Sequence, residues 1–300
     1  FAVGIITSVS PDHATPAAFY AHQPDRSNYY QIAVEMVNSG FDFFAGGGFR
    51  SPFGKDTNNL QEDVRKMAGA NGYVISNNLD ELKALIPGKK AIALSNSLAE
   101  DQALPYAMDA DSGALNLGHF TAKGINLLYG TGKGFFMMVE GGKIDWACHR
   151  NDVGATIHEV IDFDNAIKEA LIFYEKHPDE TLILVCADHE TGGIALGYTG
   201  TGYELFPGRL KHQKISTEKF QANIDRIKNS PLSPMEKWVE MLEEIKVNFG
   251  LGSAEEGMQL SDKEMIDLKN AFSRSMKAGD MPEEIDQPII MYGEYDPLVV

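Results

Sequence analysis

Cysteine is scarce in this chain of 300 residues, with Cys148 and Cys186 the only two. Two cysteines cannot build a disulfide scaffold, and this pair does not form a zinc knuckle, so the redox compartment stays open. Long hydrophobic runs are missing. No apolar stretch approaches the roughly 20 residues of a membrane-spanning helix, so the chain reads as soluble. Basic residues are in the minority, with 26 Lys+Arg against 43 Asp+Glu and a net charge of -17. Nucleic acid and anionic membrane are thereby excluded as main partners, because both need a basic face. A small anionic substrate stays compatible, since bound divalent cations reverse the local field. There is no internal repeat and no low-complexity tract, and the opening residues, starting at Phe1, are expected to be a strand rather than a signal peptide.

What is present is a globular composition, 43% apolar and 23% charged, with ample length for a buried core. Short apolar runs alternate with longer helical patterns, which predicts an α/β fold with a largely parallel sheet. Strands are expected at Ala2–Thr7, Ala91–Ser95, Gly134–Glu140, Thr181–Ala187 and Pro288–Tyr292. The run Phe135-Phe136-Met137-Met138-Val139 has the continuous apolar character of a strand covered on both faces. Val153, Ile157, Val160, Ile161, Ile167, Ala170, Leu171 and Tyr174 recur at helical spacing and mark one long helix. Asn59-x-x-Glu62, Ser233-x-x-Glu236 and Ser261-x-x-Glu264 read as helix starts, with Pro234 suited to a first turn. From about 197 to 286 helix signals follow one another without a strand, which predicts a helical insertion within a single domain over 1–300. Phe1–Ser8 begins as a strand already under way and Leu298–Val300 is apolar, so the chain is expected to be part of something longer.

The strongest chemical signal is Val139-Glu140-Gly141-Gly142-Lys143-Ile144-Asp145-Trp146-Ala147-Cys148-His149. A strand ends in a carboxylate, two glycines turn the chain, and Asp145 and His149 follow four residues apart. On a helical turn that spacing puts a carboxylate and an imidazole on one face, able to share a metal. A second predicted strand ends in Asp188-His189, followed by Glu190-Thr191-Gly192-Gly193. Ligands bind at the carboxyl ends of parallel strands, so two such ends predict a pair of divalent ions. Either motif alone would more often be a cap with a satisfied histidine. Their joint appearance behind Glu140 favours the metal reading.

Other candidates are structural. Asp111-Ser112-Gly113-Ala114 reads as a turn with a capping serine rather than a nucleophile. Gly130-Thr131-Gly132-Lys133-Gly134 precedes a strand and lacks phosphate-loop spacing, so it is a turn. Gly46-Gly47-Gly48 is a tight turn, and no G-x-S-x-G elbow exists. His22 is expected inside the first helix, His119, His158, His177 and His212 on surfaces or helix faces, and both cysteines as small buried hydrophobes.

These stretches resemble the alkaline phosphatase family. The resemblance rests on VEGGKID-x-x-x-H at 139–149, ADHETGG at 187–193, and an early stretch of His13-Ala14-Thr15-Pro16-Ala17-Ala18, then Ala21-His22, then Arg26. The resemblance implies a three-layer α/β/α sandwich and hydrolysis of phosphate monoesters at alkaline pH through two Zn2+ and one Mg2+. It implies that Asp145 and His149 are ligands of one zinc and Asp188 and His189 the Asp-His pair of the second. Glu140 and Thr15 match magnesium ligands, and Arg26 matches a phosphate clamp, a task suited to a planar guanidinium. His13 falls where some members have an Asp near the magnesium, and Trp146 where some have Lys or His.

The family's early Asp, its phosphorylated nucleophilic Ser and a late His have no match here. The chain by itself is therefore expected to be inactive. The implied partners are a phosphate monoester or inorganic phosphate, with a homodimer possible and a periplasmic or secreted location. The alternative is a non-catalytic module that binds metal or phosphate.

Overall fold

The computed structural model describes residues 1–56, 59–60, 62–191, 206–255 and 257–277. The chain divides into two compact units. The first is Phe1–Asp145 with His158–Asp188, and the second is Trp146–Ile157 with His189–Val300. The expected strand Pro288–Tyr292, the apolar end at 298–300 and the glycines Gly192-Gly193 lie outside the described residues.

In the first unit the elements run β1 (Ala2–Thr7), α1 (Ala14–Ala17), α2 (Tyr29–Asn38), β2 (Phe43–Gly46), β3 (Lys55–Asp56), β4 (Asn59–Leu60), α3 (Val64–Ala70), β5 (Tyr73–Ser76), α4 (Leu79–Ala84), β6 (Lys90–Leu94), α5 (Leu117–Tyr129) and β7 (Phe135–Glu140). Then α6 (Gly142–His149) and α7 (Val153–Tyr174) follow. The main sheet has the order β5-β6-β2-β1-β7, and all its pairings are parallel. Among the described residues only β3 and β4 pair antiparallel. Alternation explains why the sheet is covered twice. Ile6, Phe43, Ala45, Ala91 and Ala93 enter one core with Leu117, Phe120 and Leu128 of α5 and Ala166 of α7. Their neighbours Ile5, Phe44, Ile92 and Leu94 enter the other with Ala17, Ile32, Ala33, Met36 and Val64 from α1, α2 and α3. Successive side chains point to opposite faces, so a continuous apolar run is the pattern of a strand with helices on both sides. Burying Phe43 or Phe44 completely contributes roughly 2–3 kcal/mol each. The helices approach closely where the side chain vanishes. A Cβ on Gly124 of α5 would stand 3.0 Å from Met137 Sδ and 3.1 Å from Ile6 Cδ1.

The second unit contains, in its described part, a 3-10 helix (Pro207–His212), α8 (Thr217–Asn229), α9 (Pro234–Phe249) and α10 (Asp262–Lys277). Phe220, Ile227, Met241, Ile245 and Leu268 form its core, with Trp238 and Phe272 packed ring to ring at 5.2 Å. Asp152, buried at the start of α7, accepts from Ala155 N at 3.0 Å, Thr217 N at 2.7 Å and Gln213 Nε2 at 2.6 Å. One carboxylate thus satisfies orphan amides of two helix starts.

Several expectations are corrected. Thr181–Ala187 forms no strand with any of the described residues, and Leu182 and Leu184 are 81% and 82% exposed. An apolar run becomes a strand only when a neighbour supplies the hydrogen-bond ladder, and β7 ends the sheet order. Asn59 does not start a helix but pairs in β4; α3 is capped instead by Asp63, which accepts from Arg65 N at 2.9 Å. The strands Phe43–Gly46 and Tyr73–Ser76 were not expected, being only four residues long. His22 lies beyond α1 with its ring exposed, and its backbone N–H donates to Glu35 at 2.6 Å. Cys186 is exposed rather than buried. The starts at Ser233 and Ser261 do form, Ser233 as a full reciprocal capping box ahead of Pro234.

Candidate metal and phosphate site

The site of interest in the first unit lies at the carboxyl ends of β1 and β7. These strands pair in register from Ala2↔Phe135 to Thr7↔Glu140, which sets the last residues of both side by side. Thr7 Oγ1 donates to Glu140 Oε2 at 2.5 Å, and Val9 N donates to Thr7 Oγ1 at 3.1 Å. Thr15, from the first turn of α1, also hydrogen-bonds the Glu140 carboxylate. The chain then turns at Gly141 and enters α6, placing Asp145 in its first turn.

Three acidic groups bear on one another here. Burial raises the Glu140 pKa above the ordinary range, and the charges of Asp188 and Asp145 add to that rise. The Thr7 and Thr15 hydroxyls oppose it. Carboxylates gathered in this way repel, and a divalent cation is the counter-charge such a cluster accepts. Carboxylate and hydroxyl oxygens are the donors magnesium prefers, while an Asp with a His suits zinc. Among the described residues no three His, Cys, Asp or Glu side chains stand as a closed metal cage. The donors therefore fit the group in chemistry and in neighbourhood, without being closed on one centre.

His13, at the start of α1, has its Nε2 3.2 Å from Arg26 Nη2. Burial, then the positive charges of Arg26 and Arg50, lower its pKa to about 4. The ring is thus neutral at physiological pH and able to accept a hydrogen bond or a metal. Arg26 itself is exposed. His149 is exposed at the end of α6, one turn beyond Asp145. Exposed His189 follows Asp188, its Nδ1 lying 3.1 Å from Glu190 O and 3.2 Å from Thr191 Oγ1. Both histidines belong to the second unit. Of the expected site residues, then, the first unit brings together Thr15, Glu140, Asp145 and Asp188, and sets His13 against Arg26.

Sequence reasoning missed Thr7, Asp12 and Arg50. Asp12 is fully buried, its pKa pushed up to about 6 by burial, and it accepts Arg50 N at 3.0 Å. The Arg50 guanidinium lies 4.3 Å over the Tyr29 ring, donates to Tyr29 Oη at 2.9 Å and pairs with Asp101 at 2.5 Å. Asp101 and Gln102 both adopt left-handed backbone, φ 55° and 63°, a conformation unusual for residues with side chains. The available signal was Arg50 two residues after the Gly-rich run, whose role becomes visible only in space. Ser112, by contrast, sits in an exposed turn closed by Ala114 N on Asp111 O at 3.0 Å.

A parallel α/β fold with helices on both faces and acidic groups converging at its strand ends defines the class. The chain belongs to the alkaline phosphatase family, whose family model matches residues 1–231. It is 32% identical to alkaline phosphatase 3 of Bacillus subtilis over 281 residues, covering 90% of this chain and 57% of that one. Its fold matches the crystal structure of a cold-active alkaline phosphatase from Shewanella sp. with TM-score 0.73 and 28% identity, covering 92% of this chain and 62% of that one. A mutant alkaline phosphatase from the Antarctic bacterium TAB5, described with Mg bound, matches with TM-score 0.50 and 33% identity over 59% of this chain and 49% of that one. The chain thus spans between about half and three fifths of the length of these relatives. No described helix is long and apolar enough to cross a membrane.

Proposed function

We propose that this chain provides the metal- and phosphate-holding part of a phosphomonoesterase that uses two zinc ions and one magnesium ion. The observation that carries the reading is Glu140 at the end of β7, on which the charges of Asp145 and Asp188 bear, with Arg26 and neutral His13 in the same unit. Glu140 and Thr15 would hold magnesium. Asp145 with His149, one turn apart on α6, and Asp188 with His189 would hold zinc. When bound, such ions stabilise the charge on attacking and leaving oxygens. This chain's own residues do the rest. Arg26 binds and orients the phosphoryl oxygens through its planar fork. Neutral His13 adds no second positive charge beside that guanidinium. The Thr7 and Thr15 hydroxyls oppose the rise that burial causes in the Glu140 pKa. Ser112, in its exposed turn, has no part in the reading.

The test is binding of inorganic phosphate to the purified chain, with and without Zn2+ and Mg2+, alongside hydrolysis of a chromogenic phosphate monoester at alkaline pH. Phosphate binding that requires the metals, and that Arg26→Ala weakens at least tenfold, is expected. The chain by itself is expected to show no turnover above a metal-only blank. Phosphate binding indifferent to both metals and Arg26 would overturn the reading. Turnover abolished by Ser112→Ala would overturn the exclusion of that serine.

A further inference from the structure

Lys143 stands between Glu140 and Asp145, and its side chain is wholly enclosed. Its Nζ lies 3.5 Å from the centroid of the Tyr106 ring, a close cation–π contact. On α7, Glu159 is also buried, and the Lys143 charge bears on its carboxylate. Glu159 Oε1 accepts Ala107 N at 2.7 Å, which ties it to the segment that carries Tyr106. The Lys143 main chain is fastened as well. Its N–H donates to Ser8 Oγ at 3.0 Å, and Ser8 N donates to Glu140 O at 3.1 Å.

Enclosing an ammonium group carries a desolvation penalty of several kcal/mol, and replacing a buried ion pair by apolar side chains of similar volume is often neutral or stabilising. Stability alone therefore does not account for a cation here. What the arrangement does supply is one conformation. A lysine whose ammonium packs on a ring of one segment, and whose main-chain N–H is fastened to Ser8, holds the first turn of α6 against both.

We propose that Lys143 is a positioning residue, whose enclosed cation, packed on Tyr106, fixes the first turn of α6 and so keeps Asp145 beside Glu140 for metal binding. The inference rests on the metal reading above.

The experiment is zinc and magnesium affinity of the 300-residue chain, measured by competition with a chromophoric chelator, with denaturant unfolding of the metal-free protein in parallel. Lys143→Met leaves Glu159 uncompensated and is expected to lose both stability and affinity. The paired variant Lys143→Met/Glu159→Gln removes both charges; it is expected to regain stability yet bind metal about 10- to 100-fold more weakly, the range for groups that orient metal ligands. A folded pair with native affinity would overturn the proposal. If the pair does not fold, Tyr106→Leu decides: severalfold weaker metal binding supports positioning, and unchanged binding overturns it. Asp145→Asn is the companion variant. Weaker binding in the Lys143 variants without weaker binding in Asp145→Asn would mean Lys143 does not act through Asp145, and the proposal falls. A native chain that binds neither metal would sink the metal reading itself and the proposal with it.

Discussion

Thr7 Oγ1 donates a 2.5 Å hydrogen bond to Glu140 Oε2, joining the last residues of two parallel strands that are 133 positions apart in the chain. The donor lies on a strand whose apolar neighbours say nothing of this role. The acceptor is the carboxylate that opens the strongest motif in the sequence.

Removing that donor tests the bond directly. A hydrogen bond to a charged group contributes about 1.5–3 kcal/mol. Thr7→Val is therefore expected to destabilise the metal-free protein by about that amount at neutral pH, measured by urea unfolding. The loss should shrink in acid, where Glu140 is protonated and needs no such donor. A loss independent of pH would assign the effect to packing instead.

Asp152 is the corresponding node of the second unit. Asp152→Ala leaves Ala155 N, Thr217 N and Gln213 Nε2 without their acceptor. Each stranded buried donor costs roughly 1–3 kcal/mol, so a loss of about 3 kcal/mol or more is expected. Hydrogen exchange should locate it, with the Thr217 amide losing protection. Retained protection at Thr217 would show that α8 is anchored by other contacts.

Glu159 gives a pH dependence with a definite sign. Burial first, against the Ala107 amide and the Lys143 charge, raises its pKa from 4.5 to about 7. The fold thus prefers the protonated acid. That preference is fully present below pH 4.5 and is lost as the pH rises through 7. Glu159→Gln is expected to flatten this stretch of the stability–pH profile between pH 4.5 and 8. An unchanged profile by thermal unfolding across that range would rule Glu159 out as its source.

Gly47 tests the loop beside Arg50. A Cβ there would come within 1.9 Å of Gln102 O, a backbone atom that also accepts Gly48 N at 2.7 Å. Gly47→Ala must push the Asp101–Gln102 segment away. An overpacking cost of about 1–3 kcal/mol is expected from denaturant unfolding. A neutral substitution would show that this loop yields freely.

Much of this was legible before any coordinates. The run Phe135–Glu140 was legible as a strand, because no polar position interrupts it before Glu140; the expectation that it is covered on both faces is corrected, since β7 ends the sheet order and Phe136 is 49% exposed. Ser233-x-x-Glu236 closes on itself within one turn, so four residues suffice to predict it. Thr181–Ala187 shows the limit. Its apolar residues are those of a strand, yet strand formation depends on a partner elsewhere in the sheet. Arg50 and Lys143 show another limit. Nothing in a sequence of Gly, Phe and Arg says that the guanidinium will lie over Tyr29, or that a lysine in a glycine-flanked turn will be sealed beneath Tyr106.

The sequence by itself determined the periodicities, the helix starts at Ser233 and Ser261 and the family, because these depend on neighbours within a few residues or on motifs read in order. Only the tertiary structure decided which polar groups are enclosed and what they meet. Burial removes water as the alternative partner, and whether Glu140, Asp12 or Lys143 loses its water depends on segments far away in the chain.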